Sequence, residues 1–201
     1  MACIAPFNQE VIMSTPNSPV YICSNALLKP GAQSISDFTE NTDRAKIVAN
    51  IYPSVRDDLL REHVWKFAIK RTLLAPDADK PAFGYTYAYT LPADFLKAIT
   101  VNYGYYPDYT IENCKILNNA NSIQLRYIYQ NEDVTTYDAT FIKLLTLAIK
   151  SEIAYSITQS TSLAEAAKQE FIYELRKAVD GQQVPPETLG FSTLLEDRLL
   201  G

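Results

Sequence analysis

The chain has 201 residues, of which 47% are hydrophobic and 20% are charged, and its net charge is −5 at pH 7. This composition predicts a folded protein with a sizeable core and argues against a disordered chain. Because the chain is acidic and has no long run of lysine or arginine, it is poorly suited to gripping the phosphate backbone of nucleic acid.

The first third of the chain predicts an N-terminal arm followed by two helices. Residues 1–18 have no hydrophobic period, and they lack the basic and apolar regions of a signal peptide, so we expect a soluble chain with an arm here. Pro19 opens a short predicted helix that ends at Pro30-Gly31. A second helix is predicted over about 42–62, and Pro53 predicts a kink or a break in it near Tyr52. Its apolar seam comprises Ala45, Val48, Tyr52, Val55 and Leu59.

Residues 65–137 predict a β-rich region, starting with a strand at Trp65. The stretch "FGYTYAYTLPADF" places Tyr85, Tyr87 and Tyr89 on one face of a strand, which indicates packing at a sheet face or a subunit boundary. In the last predicted strand, apolar residues alternate with Gln124 and Arg126. This alternation is typical of a half-buried antiparallel sheet with a polar outer face.

The residues after the β-rich region predict two helices and a tail. A helix over about 138–160 carries two adjacent apolar stripes, and this sector is wider than one buried face needs, so we expect two partners within the fold or across a subunit boundary. A capping box at Ser162 opens the next predicted helix. The first stripe comprises Phe141, Leu144, Leu145, Ala148 and Tyr155, and the second comprises Ile142, Leu145, Ile149 and Ile153. The apolar seam of the next helix comprises Leu163, Ala167, Phe171, Leu175 and Ala178.

The tail, residues 183–201, contains Pro185 and Pro186, and the residues after them are apolar without a clear period. Exposed apolar residues are a liability unless a partner covers them. We therefore expect interface residues in two places. They are Ile142, Ile149 and Ile153 in the helix, and Phe191, Leu194 and Leu195 in the tail.

A search for catalytic and ligand-binding patterns favours a protein that is not an enzyme. His63 is the one histidine, the three cysteines are widely spaced, and no glycine-rich phosphate loop or G-x-S-x-G motif occurs. The acidic pairs at Asp57-Asp58 and at Asp77 and Asp79 are better explained as solvated residues than as metal ligands. We expect no catalytic residues, no cofactor and no metal, and no segment is apolar enough to predict a membrane span.

Several motifs, in order along residues 19–180, resemble the head-to-tail adaptor family of tailed phages, the tail tubular protein A type of short-tailed phages. They are "SNALLKPGAQSISDFTENT", "IYPSVRDDLLREHVWKFAIKRTLLA", "FGYTYAYTLPADFLKAITV", "YTIENCKIL" and "IQLRYIYQNEDVTTYDATF". The third is the most specific, since Tyr-x-Tyr followed by Leu-Pro-Ala-Asp is habitual in the family. The fourth departs from the family pattern, because Glu112-Asn113 stands where Glu-Gly is common.

The resemblance implies an α+β fold in which an antiparallel helical bundle, residues 19–64 and 138–182, carries the β-rich insertion 65–137. It further implies a twelve-subunit ring beneath the portal protein, which joins the capsid to the tail nozzle and lets DNA pass without sequence-specific binding. The protein would reside in the virion tail after assembly in the host cytoplasm. The alternatives are a monomeric tail-associated or host-interaction binding protein and, more weakly, a hydrolase with an unrecognised site.

Overall fold

The computed structural model describes residues 18–102 and 108–181. Over these residues the fold is α+β, with four α-helices, two short 3-10 helices and two antiparallel sheets of three strands each. The predicted α+β class is therefore confirmed. The helices are α1 (Pro19–Leu28), α2 (Asp43–Glu62), α3 (Ala139–Thr158) and α4 (Thr161–Gly181).

Polar side chains cap the helix starts. The Ser18 hydroxyl accepts a hydrogen bond from Tyr21 N at 3.1 Å, and the Asp138 carboxylate accepts one from Phe141 N at 2.7 Å. These bonds satisfy backbone donors that the first turn leaves open. At α4 the cap is Ser160, whose hydroxyl lies 3.4 Å from Leu163 N. The predicted capping box at Ser162 is therefore wrong, because the helix begins at Thr161.

The kink or break predicted in α2 near Tyr52 is not a break, since the helix runs through Pro53 as far as Glu62. Pro53 is exposed, and the two leucines that follow on the buried side, Leu59 and Leu60, are 2% and 0% exposed. Proline removes one backbone donor from a helix, but tertiary packing of the apolar face supplies most of a helix's stability. Here that packing holds the second half of α2 in place.

The six strands form two separate sheets. The first sheet has the order β1-β6-β3 and the second has the order β2-β5-β4, with antiparallel pairing throughout. Asn113 and Cys114, with φ of 46° and 58°, join β4 to β5. The strands are β1 (Ile69–Leu74), β2 (Tyr87–Thr90), β3 (Phe95–Val101), β4 (Tyr109–Glu112), β5 (Lys115–Asn118) and β6 (Ile123–Tyr129).

The first strand starts at Ile69, four positions after the predicted start at Trp65. Residues Lys66–Ala68 instead form a 3-10 turn, and the Trp65 side chain is 1% exposed with its indole N–H donating to Leu59 O at 2.9 Å. The alternation of aromatic residues in this segment therefore reflects core packing beneath α2.

The fold has two hydrophobic cores. The main core joins the helices to one side of the first sheet and includes Trp65, Phe141 and Ile128. The second core lies between the two sheets. It comprises Tyr89, Leu91, Val101, Ile116, Ile123, Leu125 and Tyr127.

Helix α3 packs against α1, α2 and α4, and these contacts within the chain account for its wide apolar sector. Antiparallel contact with α4 is reinforced at the surface by ion pairs from Lys143 Nζ to Glu174 Oε2 at 2.7 Å and from Lys150 Nζ to Glu170 Oε2 at 2.5 Å. Because of this pairing, the C-terminal half of α4 returns towards the start of α3.

Candidate interaction surfaces

Two of the predicted interface residues lie inside the subunit. Ile149 and Ile153 are 0% and 1% exposed and belong to the main core. They are therefore core positions, and their assignment to a subunit interface is corrected: α3 contacts three helices of its own chain, which leaves these two side chains no outward face. Ile142 is half-buried at the edge of the same core. Phe191, Leu194 and Leu195 lie outside the described residues.

A shallow cleft lies beside Ile142, between α1 and α3. Thr146, one helical turn further on, shares its side of α3, and the Thr146 hydroxyl donates to Ile142 O at 2.8 Å. Thr146 lines a cleft of about 460 Å³ together with Leu28 and Lys143. Leu28 is 53% exposed, so this cleft offers an apolar side chain beside an amine. We call it the helix cleft.

A second opening lies just beyond the C-terminal end of α1. It has a volume of about 710 Å³ and is lined by the loop after α1, by Arg44 at the start of α2, and by Ile157 and Leu163 near the α3–α4 junction. Leu163 is 56% exposed, so its predicted place in a buried seam is wrong; the other seam residues are buried or half-buried. The reason is its position in the first turn of α4, just beyond the end of α3 at Thr158.

The tyrosine row packs in the second sheet. Tyr89 is fully buried and its hydroxyl donates to Ala120 O, and the rings of Tyr87 and Tyr89 lie 6.5 Å apart. Tyr85 lies just before β2, and its hydroxyl is 3.0 Å from Thr110 Oγ1 of β4. These tyrosines therefore hold strands together through their rings and hydroxyls, as aromatic residues with a polar end commonly do.

The Leu-Pro-Ala-Asp motif forms the turn between β2 and β3, where Phe95 N donates to Pro92 O at 3.0 Å. Asp94 lies at the end of the turn and links the strands of the first sheet: its carboxylate accepts from Lys70 Nζ at 2.6 Å and from the Tyr127 hydroxyl at 3.0 Å. Burial by itself would raise the pKa of Asp94, but these two bonds outweigh it, so the pKa lies below its ordinary value.

Arg71 follows Lys70 on β1, so its side chain lies on the opposite side of the first sheet from that of Lys70. It stands directly across from Arg126 on β6, and Thr100 of β3 flanks Arg126 on its other side. These residues, with Leu73 and Gln124, line a cleft of about 390 Å³, which we call the sheet cleft. Neither arginine forms an ion pair within the described residues, and the Nε of Arg126 is buried without a hydrogen-bond acceptor there.

A buried arginine from the Arg56-Asp57 pair of the second family-like motif connects α2 to the sheet region. Arg56 is 4% exposed, with its Nε 2.8 Å from Asp57 Oδ1 and its Nη2 3.3 Å from Glu132 Oε1. Gln130 Nε2 donates to the other oxygen of Asp57 at 2.8 Å. Burial disfavours the charge of Arg56, but Asp57 more than compensates, so its pKa is raised. The available signal was its spacing of four residues from Tyr52, on the buried face of α2.

The reactive residue types are dispersed. His63 follows α2 and its ring meets Trp65 edge to face, with centroids 5.1 Å apart. Burial raises the pKa of the Cys23 thiol to about 12, whereas Cys114 is exposed in a turn. Asp77 is held by Lys115 Nζ at 2.8 Å. Within 18–102 and 108–181, no group of three histidine, cysteine or acidic residues is arranged to hold a metal ion.

No protein-family model and no curated protein matches the chain. None of the helices in the described ranges is long and apolar enough to cross a membrane.

Proposed function

We propose that this protein is a structural head-to-tail adaptor of a tailed phage. Twelve copies form a ring beneath the portal protein, join the capsid to the tail nozzle, and let DNA pass without sequence-specific binding. In this proposal the helices form an antiparallel bundle, and the protein resides in the virion tail after assembly in the host cytoplasm. Its role is structural, with no catalytic step.

The observation that carries the proposal is the exposure of large apolar side chains on separate parts of the subunit. Leu28 and Leu163 are 53% and 56% exposed on the helices, Leu73 is 68% exposed on the first sheet, and Phe83 is 89% exposed before β2. Apolar side chains distributed in this way suit a subunit with neighbours on several sides, as in a ring that also meets a portal and a nozzle.

The chemistry of the turn at residues 91–94 supports the resemblance to the adaptor family. Pro92 closes the turn through its carbonyl, and Asp94 binds Lys70 and Tyr127 on two other strands. The motif thus combines a turn residue with a carboxylate that contacts two strands of the first sheet, so a structural role explains why its residue types occur together. The net charge of −5 also suits a channel that must release DNA, since a strongly basic wall would retard it.

The decisive experiment is to image particles of the purified protein mixed with a portal ring, with mass measurement of the protein alone. We expect a ring of twelve copies bound to one face of the portal. A protein that stays monomeric and does not bind any portal ring would contradict the adaptor proposal and favour the monomeric binding protein.

Affinity for DNA gives a second, independent test. We expect dissociation constants for duplex DNA no tighter than the usual non-specific range of roughly 10⁻⁴–10⁻⁶ M at physiological salt. Sub-micromolar binding to an arbitrary duplex would be incompatible with a channel that lets DNA pass freely. A titration with two unrelated sequences of equal length controls for sequence preference.

A further inference from the structure

One side of the first sheet is covered over only half of its length. Ile69 and Ile128, paired across β1 and β6, pack into the main core on this side. Further along the same strands and on the same side, Arg71, Leu73 and Arg126 line the open sheet cleft. The helices that cover the first half therefore do not extend over the second.

The open half carries two positive charges that the described residues do not neutralise. Arg71 and Arg126 are direct cross-strand neighbours, and like charges in that arrangement repel each other. The other described basic residues of the first sheet differ: Lys70 pairs with Asp94, and Lys97 Nζ donates to Arg61 O at 2.8 Å. The two arginines have no ion-pair partner among the described residues, and the buried Nε of Arg126 has no hydrogen-bond acceptor there. Buried polar groups normally have a partner, so an anionic group from outside the described residues would satisfy this site.

The cleft fits a carboxylate next to apolar side chains better than it fits a phosphate backbone. Leu73 is 68% exposed at its rim, so an occupant that buries it must itself be partly apolar. The planar guanidinium group can bind a carboxylate through two parallel hydrogen bonds. Thr100 and Gln124 add uncharged polar groups to the lining. The occupant of the sheet cleft should therefore combine apolar side chains such as leucine with carboxylate groups.

The sequence of the chain itself contains such a segment, Leu194-Leu195-Glu196-Asp197. We propose that this segment of a neighbouring copy docks in the sheet cleft, with its carboxylates on Arg71 and Arg126 and its leucines against Leu73. The inference rests on the proposed ring and names the receptor for the tail within it.

The length of the intervening chain permits this contact. Residues 182–193 separate α4 from the segment, and twelve residues span up to about 40 Å when extended. Each subunit donates one segment and offers one cleft, so the contact is head-to-tail and closes when the copies form a ring.

The test measures binding of a fluorescent peptide of residues 187–201 to the full-length chain carrying Glu196→Lys and Asp197→Lys, so that its own segments do not compete. We expect saturable binding that weakens at least about tenfold when Arg71→Glu and Arg126→Glu are added, because losing two charge-assisted contacts exceeds the 1.4 kcal/mol of a tenfold change. The matched control is Arg61→Glu, another exposed arginine, which should leave binding unchanged.

A peptide carrying Glu196→Lys and Asp197→Lys tests the same contact from the side of the segment. It should bind weakly to the receptor that has Arg71 and Arg126, and regain affinity for a receptor that carries Arg71→Glu and Arg126→Glu but keeps its own Glu196 and Asp197, which the reversed cleft repels. Equal binding of both peptides to both receptors would overturn the inference, and so would displacement of the peptide by a short DNA duplex at equal charge concentration. Because this assay needs no ring, its failure is separate from a failure to assemble on the portal.

Discussion

Arg56 and Arg126 show how differently one residue type is accommodated in two parts of this molecule. Arg56 lies in the closed interior beneath α2, and its guanidinium meets the carboxylates of Asp57 and Glu132. Arg126 lies on the central strand of the first sheet, and its cross-strand neighbour is another arginine. The first is held by partners within the subunit, whereas the second has no ion-pair partner among the described residues.

Burial alone does not distinguish a functional arginine from a structural one in this protein. Arg56 is more deeply buried, yet its contacts are complete and explain its presence by stability. Arg126 retains contact with a cleft, and its neighbour repels it, so stability of the isolated subunit does not explain the pair. Substitutions in the closed interior should therefore affect folding, and substitutions in the sheet cleft should affect binding.

The largest effect is expected from Ile149→Glu, which places an unpaired charge in the closed interior. Ile149 is 0% exposed, so the variant should lose about 4 kcal/mol or more of unfolding free energy and fail to fold stably. Ile142→Glu is the matched control on the same helix, since Ile142 is half-buried beside the helix cleft. We expect it to fold and to lose assembly on the portal.

Circular dichroism with thermal melting measures whether each variant folds. Particle imaging with a portal ring then measures whether a folded variant assembles. A stable Ile149→Glu protein would show that the interior tolerates a charge, and the expected difference between interior and cleft substitutions would not hold. Normal assembly of the Ile142→Glu protein would show that the helix cleft faces solvent in the ring.

The next effect is expected from Arg56→Met, which leaves the carboxylate of Asp57 without its partner. The Asp57 side chain is 18% exposed whereas that of Glu132 is 71% exposed, so only one of the two contacts is strongly shielded. We expect a loss of about 2–3 kcal/mol, below the full cost of breaking a buried pair. Urea unfolding measures it.

Arg61→Met serves as the control for Arg56→Met, because Arg61 lies 3.7 Å from Asp58 in an exposed pair. It should change stability by less than about 0.5 kcal/mol. Adding Asp57→Asn to Arg56→Met should recover part of the lost stability. An additive double variant would indicate that packing of the arginine stem, rather than its charge, is what α2 requires.

A smaller effect, with a defined pH dependence, is expected from Asp94→Asn. The contacts with Lys70 and Tyr127 lower the pKa of Asp94 in the folded state, so its contribution is fully present above the unfolded pKa of about 3.9 and is lost as the pH falls through the lower folded value. At neutral pH we expect a loss of about 1 kcal/mol.

Urea unfolding between pH 7 and pH 2.5 checks this, and the variant should show a shallower decline below about pH 4 than the unsubstituted protein. Asp58→Asn is the control, since its carboxylate lies in an exposed pair with Arg61. Parallel stability curves for the Asp94→Asn and unsubstituted proteins would mean that the carboxylate does not tie the strands together.

The smallest effect on folding is expected from Arg126→Gln. Removing one of two repelling charges should leave the unfolding free energy within about 0.5 kcal/mol of its original value, or raise it slightly. Thermal melting at low and high salt measures this. A loss of unfolding free energy above about 1.5 kcal/mol would show that Arg126 has a stabilising partner within the subunit, as Arg56 does.

The local elements were predictable because they depend on short-range patterns. The spacing of apolar residues predicted α2 and α3, and the strands from Tyr87 onwards followed from alternation and turn residues. Two local predictions were wrong, the strand at Trp65 and the capping box at Ser162, and the kink or break predicted at Pro53 is not a break. At Pro53 and Trp65, burial of neighbouring side chains overrode the local signal; at Ser162, an alternative cap was available two residues earlier.

Hydrophobic periodicity is a property of neighbouring residues, so the α+β class, the order of helices and strands, and most of the apolar faces could be predicted from the amino-acid sequence. Only the tertiary structure decided that Ile149 and Ile153 are interior, that Arg56 meets Glu132, and that Arg71 stands across from Arg126. Each of those facts depends on which distant segments meet, since packing and strand register bring together residues that no spacing in the chain connects.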